Sequence, residues 1–317
     1  MQVHYQELGE LPKFRKAVVT IGTFDGVHLG HRQIIAQLIS EARAINGETV
    51  IISFYPHPRS IISTNSAEVK LLSLPKEKID LLADTGVDHL VIIPFNQNFA
   101  NQSADSYISN FLIKYFNPHT IIIGYDHRFG KNRLGGYQLL VASGNELGFK
   151  VKEIPEHLLN EVAISSTKIR HALLHTDITT ANKYLGYSYF FEGLIIKGNQ
   201  LGRTIGYPTA NLLIENSEKL IPGNGVYAVT ATVLSEEETK STLLKGMMNI
   251  GVRPTVDGIN RVIEVNLFNF DEDIYGRKLQ VQVQHFIRGE VKFLGLEDLK
   301  TQLGRDQEIA KQFLESI

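Results

Sequence analysis

The sequence predicts an α/β protein with two domains: a parallel sheet flanked by helices, then an antiparallel barrel or sandwich. As far as about residue 186, apolar runs of strand length alternate with amphipathic helical segments. Such alternation favours right-handed crossovers and a parallel sheet. Beyond that point strand-like segments follow one another closely, and no helix-length pattern returns before about residue 297. Closely spaced strands favour antiparallel pairing, so the domains are expected at residues 1–183 and 184–317.

The first domain begins with a buried strand, AVVTI, which ends at Gly22. After a glycine-containing turn, apolar residues recur at helical spacing from Ile34 to Ile45, and Asn46-Gly47 supplies the stop signal. The runs TVIISFY, HLVIIPF and HTIIIG repeat the buried-strand pattern. The predicted strands are 17–21, 49–55, 89–95 and 119–124, and further helices are predicted near 76–84, 104–116, 136–147 and 167–174.

The second domain is interpreted as five strands followed by a helix. The predicted strands are 189–198, 225–234, 241–251, 261–270 and 278–287. From about residue 297 apolar residues recur at helical spacing, so a terminal helix is expected to cap the strands. The apolar positions of this helix are Leu299, Leu303, Ala310, Phe313 and Leu314.

Composition narrows the classes of function. The 32 Lys and Arg residues nearly balance the 34 Asp and Glu residues, and the net charge of -2 gives no support to a nucleic-acid or anionic-membrane partner. The lack of cysteine excludes disulfides, thiolate metal sites and a Cys nucleophile. The sequence shows neither a secretory signal pattern nor an apolar run near the roughly 18 residues of a membrane span. A cytoplasmic protein without membrane or nucleic-acid partners is therefore expected, and the sequence leaves a homo-oligomer open.

The segment GTFDGVHLGH at 22–31 is the first candidate site, because it joins the first predicted strand to the first helix. Its glycines allow a tight turn and a close approach to a ligand. His28 and His31 are three residues apart at the helix start, where the helix dipole and free N–H groups favour phosphate. Taken singly, these residues also fit a plain turn with two surface histidines. The whole string on a strand–turn–helix favours a polyphosphate site.

A second motif, ISSTKIR at 164–170, offers hydroxyl groups at another helix start. Ser165, Ser166 and Thr167 supply the hydroxyls, and Arg170 follows one turn later, so the motif is suited to phosphate. An ordinary serine N-cap with a surface arginine is the alternative. SFYPHPR at 53–59 adds aromatic and proline groups that suit a flat substrate, or a simple turn.

The second candidate site is GRTIGYPTAN at 202–211. Thr209 and Asn211 are two residues apart, so in an extended segment both side chains face the same way. A hydroxyl and an amide carbonyl are hard oxygen donors suited to Mg²⁺, and Gly202 and Gly206 leave room for phosphate. A plain turn is equally compatible with the tetrapeptide PTAN.

Glu264 lies in a predicted strand whose apolar residues Ile263, Val265 and Leu267 share one face. The alternation therefore places Glu264 and Asn266 on the opposite face. A carboxylate there could accept a proton from a hydroxyl that attacks phosphorus. A solvent-facing strand glutamate is the alternative.

These motifs together resemble known families. GTFDGVHLGH resembles the HxGH signature of the nucleotidyltransferase superfamily, in which two histidines stabilise triphosphate oxygens, and ISSTKIR resembles its second motif. Aminoacyl-tRNA synthetases carry a similar HIGH motif, but their KMSKS signature is absent here. GRTIGYPTAN, GVYAV, NIGVRPTV and the strand with Glu264 occur in the order found in riboflavin kinases. From about residue 15 to its end, the chain resembles the bacterial bifunctional riboflavin kinase/FAD synthetase family.

The resemblance implies a Rossmann-like nucleotidyltransferase domain followed by a riboflavin kinase β-barrel. It implies riboflavin, FMN and ATP as substrates, Mg²⁺ as cofactor, and FMN and FAD as products. Catalytic roles are implied for His28 and His31 in FMN adenylylation and for Glu264 in riboflavin phosphorylation. The implied ATP-binding residues of the adenylyltransferase are Gly22, Thr23, Phe24, Asp25, Gly26, Gly30, Ser165, Ser166, Thr167 and Arg170. Its implied flavin-binding residues are Phe54, Pro56, Pro58 and Asp126. In the kinase, ATP-binding is implied for Gly202, Arg203, Gly206 and Thr209, and metal-binding for Thr209 and Asn211.

Two positions depart from the family pattern. His127 stands where the family usually has Phe, and Asn266 stands where His is common two residues after the glutamate. Three other functions are weighed against the leading one: nucleotidyl transfer to another phosphorylated metabolite, nucleic-acid binding, and flavin binding without catalysis. Flavin turnover separates the first from the leading hypothesis, and the balanced charge argues against the second. Two independent nucleotide-site motifs argue against the third.

Overall fold

The computed structural model describes residues 1–5, 11–62, 69–155, 164–198, 201–234, 242–255, 258–315 and 317, without the side chains of 201, 253–255 and 258–260. All structural statements concern these residues. Residues 241 and 256, at the ends of two of the sequence segments above, lie outside them. The chain divides into two compact units, Met1–Ser166 and Thr167–Ile317. The boundary between residues 183 and 184 remains a prediction.

The first unit contains a six-stranded parallel sheet. Its strands are β1 (Gln2–His4), β2 (Val18–Ile21), β3 (Thr49–Tyr55), β4 (His89–Pro94), β5 (Thr120–Gly124) and β6 (Lys150–Ile154). The spatial order is β1-β4-β3-β2-β5-β6, so the chain builds outward from β2 on one side and then from β5 on the other. Ligands of such sheets bind outside the carboxyl ends of the strands, at the point where the order reverses. That point lies between β2 and β5.

Helices cover both faces of the sheet, because successive residues of the central strands point to opposite faces and both sets are apolar. The helices are α1 (Leu29–Ile45), α2 (Pro58–Ile62), α3 (Pro75–Ala83), α4 (Gln97–Ala100), α5 (Ala104–Ser106) and α6 (Tyr137–Leu147). A π-helix, Tyr107–Phe116, continues α5, and a short 3₁₀ turn spans Lys131–Arg133. Val18 packs with Ile35 and Leu38 of α1, whereas the next residue, Val19, packs in the core that contains the π-helix. Strand β2, which leads into the glycine turn, is thus held between two apolar layers.

The second unit is a closed antiparallel barrel with helices α7 (Ser166–Leu174) and α8 (Ile178–Leu185) before it. The remaining elements are β7 (Phe190–Ile196), α9 (Leu201–Thr204), β8 (Ala210–Leu213), β9 (Gly225–Leu234), β10 (Leu243–Thr255), β11 (Gly258–Leu267), β12 (Lys278–Arg288) and α10 (Leu296–Leu314). The strands close in the order β10-β11-β8-β7-β12-β9. Every neighbouring pair is antiparallel.

Helix α10 is fixed to the barrel by buried charge. Asp306 is fully buried, and it accepts hydrogen bonds from Arg288 Nε at 2.9 Å and Arg288 Nη2 at 2.7 Å. Gln302 donates a further bond to the same carboxylate at 2.9 Å. At the carboxyl end of the helix, Lys245 Nζ donates to the carbonyl of Leu314 at 2.5 Å. A bidentate pair of this kind fixes orientation as well as position.

The predicted fold class is confirmed, and the choice between barrel and sandwich is settled as a barrel. The sequence analysis missed several short elements: the strands β1, β6 and β8, the helices α2, α4, α8 and α9, and the 3₁₀ turn. Strand β6 lies at the sheet edge and alternates exposed and half-buried residues, so it lacks the continuous apolar run of a central strand. Among the described residues, no helix has the length and apolar character needed to cross a membrane.

Candidate active sites

The turn after β2 is strained and buried. Phe24 and Val27 have positive φ values of 48° and 36°, and both side chains are at most 1% exposed. Gly26, with a φ of 81°, lies between them. Left-handed backbone at bulky residues costs about 1–3 kcal/mol and persists only where the surroundings enforce it. Burial of the Phe24 and Val27 side chains in the apolar core provides that enforcement.

Asp25 anchors this turn to the segment before α3. Its carboxylate is 2% exposed and accepts hydrogen bonds from the backbone N–H groups of Leu72 at 3.1 Å and Ser73 at 3.0 Å. The hydroxyl of Ser73 in turn accepts from the N–H of Gly26 at 2.8 Å. The carboxylate of Asp25 is therefore directed into the protein and holds the shape of the turn.

His28 and His31 are brought together at the start of α1. Their rings stack with centroids 3.6 Å apart, and Nδ1 of His28 caps the helix by accepting from the His31 N–H at 3.3 Å. Nδ1 of His31 is buried and has no hydrogen-bond partner among the described residues. Burial, together with the nearby His28 and Lys78, holds the pKa of His31 well below its usual value. His31 is therefore a neutral imidazole at neutral pH.

Close contacts with aromatic rings explain why positions 22 and 30 are glycine. A Cβ atom at Gly30 would lie 3.3 Å from the His28 ring, and one at Gly22 would lie 3.2 Å from the Phe24 ring. The glycines thus let these rings settle against the backbone. Ser166 donates from Oγ to the carbonyl of Asp25 at 3.0 Å, so one predicted hydroxyl does reach the turn. Ser165 directly precedes α7, and Thr167 and Arg170 lie in its first turns, within the second unit.

Lys78 of α3 is a residue that the sequence analysis missed. It is 6% exposed, and its ammonium donates to the Thr23 carbonyl at 3.1 Å and to the Ser53 hydroxyl at 3.0 Å. Burial lowers its pKa to about 8, against the attraction of Asp25, which raises it. The signal was present in the sequence: Lys78 and Leu82 are one turn apart on the face of α3 that is buried.

The predicted flavin residues differ in their surroundings. Phe54 is 8% exposed, packs edge-on against Phe95 at 5.5 Å and lines a small cavity with Thr23 and Lys78. Pro56 is exposed, and Pro58 is the half-buried first residue of α2. Of these three, only Phe54 lines this cavity.

Asp126 is exposed just beyond β5, at the carboxyl end of that strand. The neighbouring His127 points inward, with its ring centroid 5.9 Å from that of Phe129. Burial lowers the pKa of His127 to about 4, and its Nε2 has no partner among the residues that the structure describes. His127 is therefore neutral and occupies an aromatic packing position, which the usual Phe of the family would also suit.

In the second unit, the segment 202–211 is a tight turn that leads into β8. The N–H of Tyr207 donates to the Gly202 carbonyl at 2.8 Å, and a Cβ at Gly202 would lie 2.2 Å from the Tyr207 carbonyl oxygen. Gly206 has a φ of 88°, which favours glycine. The same Gly202 Cβ would lie 3.6 Å from the Thr209 hydroxyl oxygen. The glycines thus bring Thr209 next to the turn, and Arg203 is exposed in α9.

Strand register aligns Asn211 with Glu264. Asn211 of β8 pairs with Glu264 of β11, which pairs with Asn249 of β10. Directly paired residues project to the same side of a sheet, so the three polar side chains form one row. Ile263 and Val265, on either side of the glutamate, are at most 3% exposed, whereas Glu264 is half-buried. The predicted alternation is confirmed, and Asn249 is the member that sequence spacing did not reveal.

Asn266 has a defined contact in this chain. Its side-chain amide donates to the carbonyl of Pro208 at 2.7 Å and so ties β11 to the turn before Thr209. A cavity of about 360 Å³ opens beside this bond. Its lining includes Gly206, Pro208, Asn266, Phe268, Phe270 and Gln307. The cavity combines the aromatic side chains of Phe268 and Phe270 with polar groups.

Comparison with known proteins finds one family model for each part of the chain. A family model described as FAD synthetase matches residues 11–168, and one described as riboflavin kinase matches residues 185–314. The bifunctional riboflavin kinase/FMN adenylyltransferase of Escherichia coli is 38% identical over 296 residues, which cover 93% of this chain and 92% of that one. The protein of the same name from Listeria monocytogenes is 34% identical over 303 residues, which cover 95% and 93%.

A solved structure is similar over the whole chain. The crystal structure described as a macrolide-efflux protein from Streptococcus pneumoniae has a TM-score of 0.86 and 29% identity, with 98% of each chain covered. The description as an efflux protein applies to the Streptococcus pneumoniae protein and is not transferred to this chain. Two family models in the expected order and full-length relatives above 30% identity lead to one assignment. The chain belongs to the family of bifunctional riboflavin kinase/FMN adenylyltransferases.

Proposed function

We propose that the two sites divide the two steps of flavin cofactor synthesis between the units. The protein is an ATP-dependent enzyme that phosphorylates riboflavin to FMN and adenylylates FMN to FAD with release of pyrophosphate. The observation that carries the division is that a helix-start histidine pair and a Glu–Asn strand row occur in separate units. ATP is the donor in both steps, which supports the cytoplasm as the proposed place of action.

For adenylylation, the glycine turn and α1 are assigned to the triphosphate of ATP. A phosphate oxygen of FMN attacks the α-phosphorus, the bond to the β-phosphate oxygen breaks, and pyrophosphate leaves. His28 and His31 lie at the positive end of α1, where negative charge develops on the leaving group. A neutral His31 can donate a single N–H there without competing for a proton. Gly22, Gly26 and Gly30 permit the close backbone approach, with Ser165, Ser166, Thr167 and Arg170 proposed as further ATP contacts.

The proposed flavin site of this unit lies beside the turn. Phe54 lines the cavity next to Thr23, and Pro56, Pro58 and Asp126 are assigned to the same substrate. Phe24 and Asp25 act through the turn, because their side chains are buried in it. Their proposed part in ATP binding is therefore to hold the backbone in its left-handed conformation.

For phosphorylation, Glu264 is proposed as the general base. It accepts the proton of the ribityl 5′-hydroxyl as that oxygen attacks the γ-phosphorus, and ADP leaves. Asn211, which pairs with Glu264 across the strands, is proposed to orient the reacting groups. The turn with Gly202, Arg203 and Gly206 is assigned to the phosphates of ATP. Asn266 holds that turn through the Pro208 carbonyl.

Mg²⁺ is proposed for the barrel site. Thr209 and Asn211 offer hard oxygen donors, and the carboxylate of Glu264 lies in the same row as Asn211, so the donor set suits the ion. Within the described ranges, no group of three or more His, Asp or Glu side chains could hold a metal on its own. That composition fits Mg²⁺, which keeps water and substrate phosphate among its ligands. When bound, the ion would neutralise charge on the transferring phosphoryl group.

The test is a time course with riboflavin, ATP and Mg²⁺, followed by chromatography of FMN and FAD. FMN should appear first and FAD afterwards, with pyrophosphate released in step with FAD. Supplied FMN should give FAD without a lag, and a chelator should abolish riboflavin phosphorylation. Formation of FAD from FMN without any FMN from riboflavin would refute the assignment of the barrel and favour nucleotidyl transfer alone.

A further inference from the structure

Lys78 is a buried cation directly beneath the glycine turn. Its ammonium donates to the Thr23 carbonyl and the Ser53 hydroxyl, and it joins α3 to the ends of β2 and β3. Lysine is almost never fully buried unless it is paired or has a function. The Thr23 carbonyl does not depend on Lys78 for a partner, because the Ser53 hydroxyl also donates to it at 3.2 Å. Satisfying that carbonyl therefore does not explain the buried charge.

Charge balance around Lys78 does not explain it either. Asp25 attracts the ammonium, yet its carboxylate is already stabilised by the N–H groups of Leu72 and Ser73. Burial has the larger effect and lowers the pKa of Lys78 to about 8 from 10.5. Because the folded pKa is below the unfolded one, the protonated lysine opposes folding. This cost is full below about pH 8 and disappears as pH rises towards 10.5.

The positive charge of Lys78 affects the histidine pair, because it contributes to the lowered pKa of His31. His31 of α1 carries a lowered pKa because of burial, His28 and Lys78, in that order. On its other sides Lys78 faces Ser53 of β3, and it lines the small cavity together with His57 and Phe54. Positive charge beneath the turn is thus held by Lys78, while His31 stays neutral. Negative charge that develops on the phosphates above the turn would be attracted to it.

We propose that Lys78 is a positioning residue of adenylyl transfer: its buried ammonium joins α3 to the ends of β2 and β3 through Thr23 and Ser53 and supplies positive charge near His31. The proposal rests on the proposed role of the glycine turn in binding ATP. The lysine acts through the turn and through the field that it creates. A misplacement of about 1 Å in such a support is enough to cost about 100-fold in rate.

The first test is Lys78→Met, which keeps the length of the side chain and removes the charge. We expect kcat for FAD formation from FMN to fall about 100-fold, with riboflavin phosphorylation within about twofold of the unaltered enzyme. Thermal unfolding at pH 7 should be unchanged or shifted to higher temperature, because the buried charge is gone. If Lys78 had only a structural role, Lys78→Met would instead lower both the stability of the protein and its activity. The matched control is Lys76→Met, since Lys76 is exposed on the same helix and pairs with Asp80 at 2.9 Å.

The second test uses pH and a conservative variant. In the unaltered enzyme, kcat/KM for adenylylation should fall above about pH 8 as Lys78 loses its proton. Lys78→Arg stays charged, so the fall should move to higher pH while activity at pH 7.5 stays within about tenfold. The pH profile of riboflavin phosphorylation should be the same in both proteins.

Three outcomes overturn the proposal. They are an adenylylation rate of Lys78→Met equal to that of Lys76→Met, a pH profile unchanged by Lys78→Arg, or equal losses of both activities in a folded Lys78→Met protein. Should Lys78→Met fail to fold, the pH profiles of the unaltered enzyme and of Lys78→Arg decide. Failure of the proposed function is separately visible, because the unaltered enzyme would then form no FAD from FMN.

Discussion

The two sites are built in different ways. The turn proposed to bind the triphosphate in adenylylation is local: its glycines and both histidines lie within residues 22–31, and strain and burial hold their shape. The proposed phosphorylation site is assembled by register, because Asn211, Glu264 and Asn249 meet only when three strands pair correctly. A local site depends on the backbone of one turn, and a register site depends on the whole barrel. Substitutions should therefore separate the two activities cleanly in either direction.

The largest expected effect is at Glu264. Glu264→Gln keeps the size of the side chain and removes the basic charge, and a positioned base contributes about 10²–10⁴-fold. We expect a loss in that range for kcat of riboflavin phosphorylation, measured by FMN formation, with riboflavin binding largely retained. FAD synthesis should recover when FMN is supplied. Glu192→Gln is the matched control, since Glu192 is a half-buried strand glutamate of β7 that accepts from Gln280 at 3.1 Å. Equal rates for the two variants would show that the base lies elsewhere.

The next effect is at the histidines. His28→Ala or His31→Ala should cost about 2–4 kcal/mol in the barrier to FAD formation, the scale of a lost transition-state donor. His28 also caps α1, and loss of a cap costs about 1 kcal/mol of stability. His28→Asn removes the imidazole but keeps a capping oxygen, so it should lose FAD formation with a normal unfolding temperature. FMN formation from riboflavin should survive in all three proteins, and near-normal FAD production by His28→Asn would contradict the assignment.

A smaller effect concerns metal dependence in the barrel. Thr209→Val removes the hydroxyl at constant shape, and we expect at least about a tenfold rise in the Mg²⁺ concentration needed for half-maximal phosphorylation. Thr209→Ser should behave as the unaltered enzyme. Asn211→Ala should show the same defect, whereas Asn211→Asp keeps an oxygen donor and should retain metal binding. Adenylylation of supplied FMN should not change, and a parallel fall of both activities in folded protein would refute the two-site assignment.

The smallest effect is one of stability at His127. The pKa of this buried ring is about 4 when folded, below its usual 6.5, so stability present at neutral pH is lost as pH falls from about 6.5 through 4. His127→Phe removes the titrating group and keeps an aromatic side chain. We expect the midpoint of acid unfolding to move to lower pH. At pH 4 the variant should be more stable than the unaltered protein by at most about 3 kcal/mol of unfolding free energy, with both activities retained. Identical acid unfolding of the two proteins would show that His127 does not titrate in this way.

The same contrast explains what the sequence could predict. The turn of the first site was found because contiguous residues carry it, and His28 and His31 do stack at a helix start. Lys78 was missed because its interaction with Thr23 joins residues 55 apart in sequence. Asn249 was missed because a row across strands depends on register, which alternation within one strand does not fix. The strand with Glu264 was nevertheless recognisable, since Ile263 and Val265 alternate around it.

Closure of the barrel has a consequence for folding during translation. Strand β12 lies between β7 and β9, and α10 follows it in the chain. A nascent chain that still lacks β12 therefore has five of the six barrel strands, and β7 and β9 each have an unpaired edge, a state prone to pairing with other chains. The six strands of the first unit are complete much earlier in translation. Nascent chains that stall late would thus carry a complete adenylyltransferase domain and an incomplete, aggregation-prone kinase barrel. A chaperone should therefore matter most in the interval before β12 is synthesised.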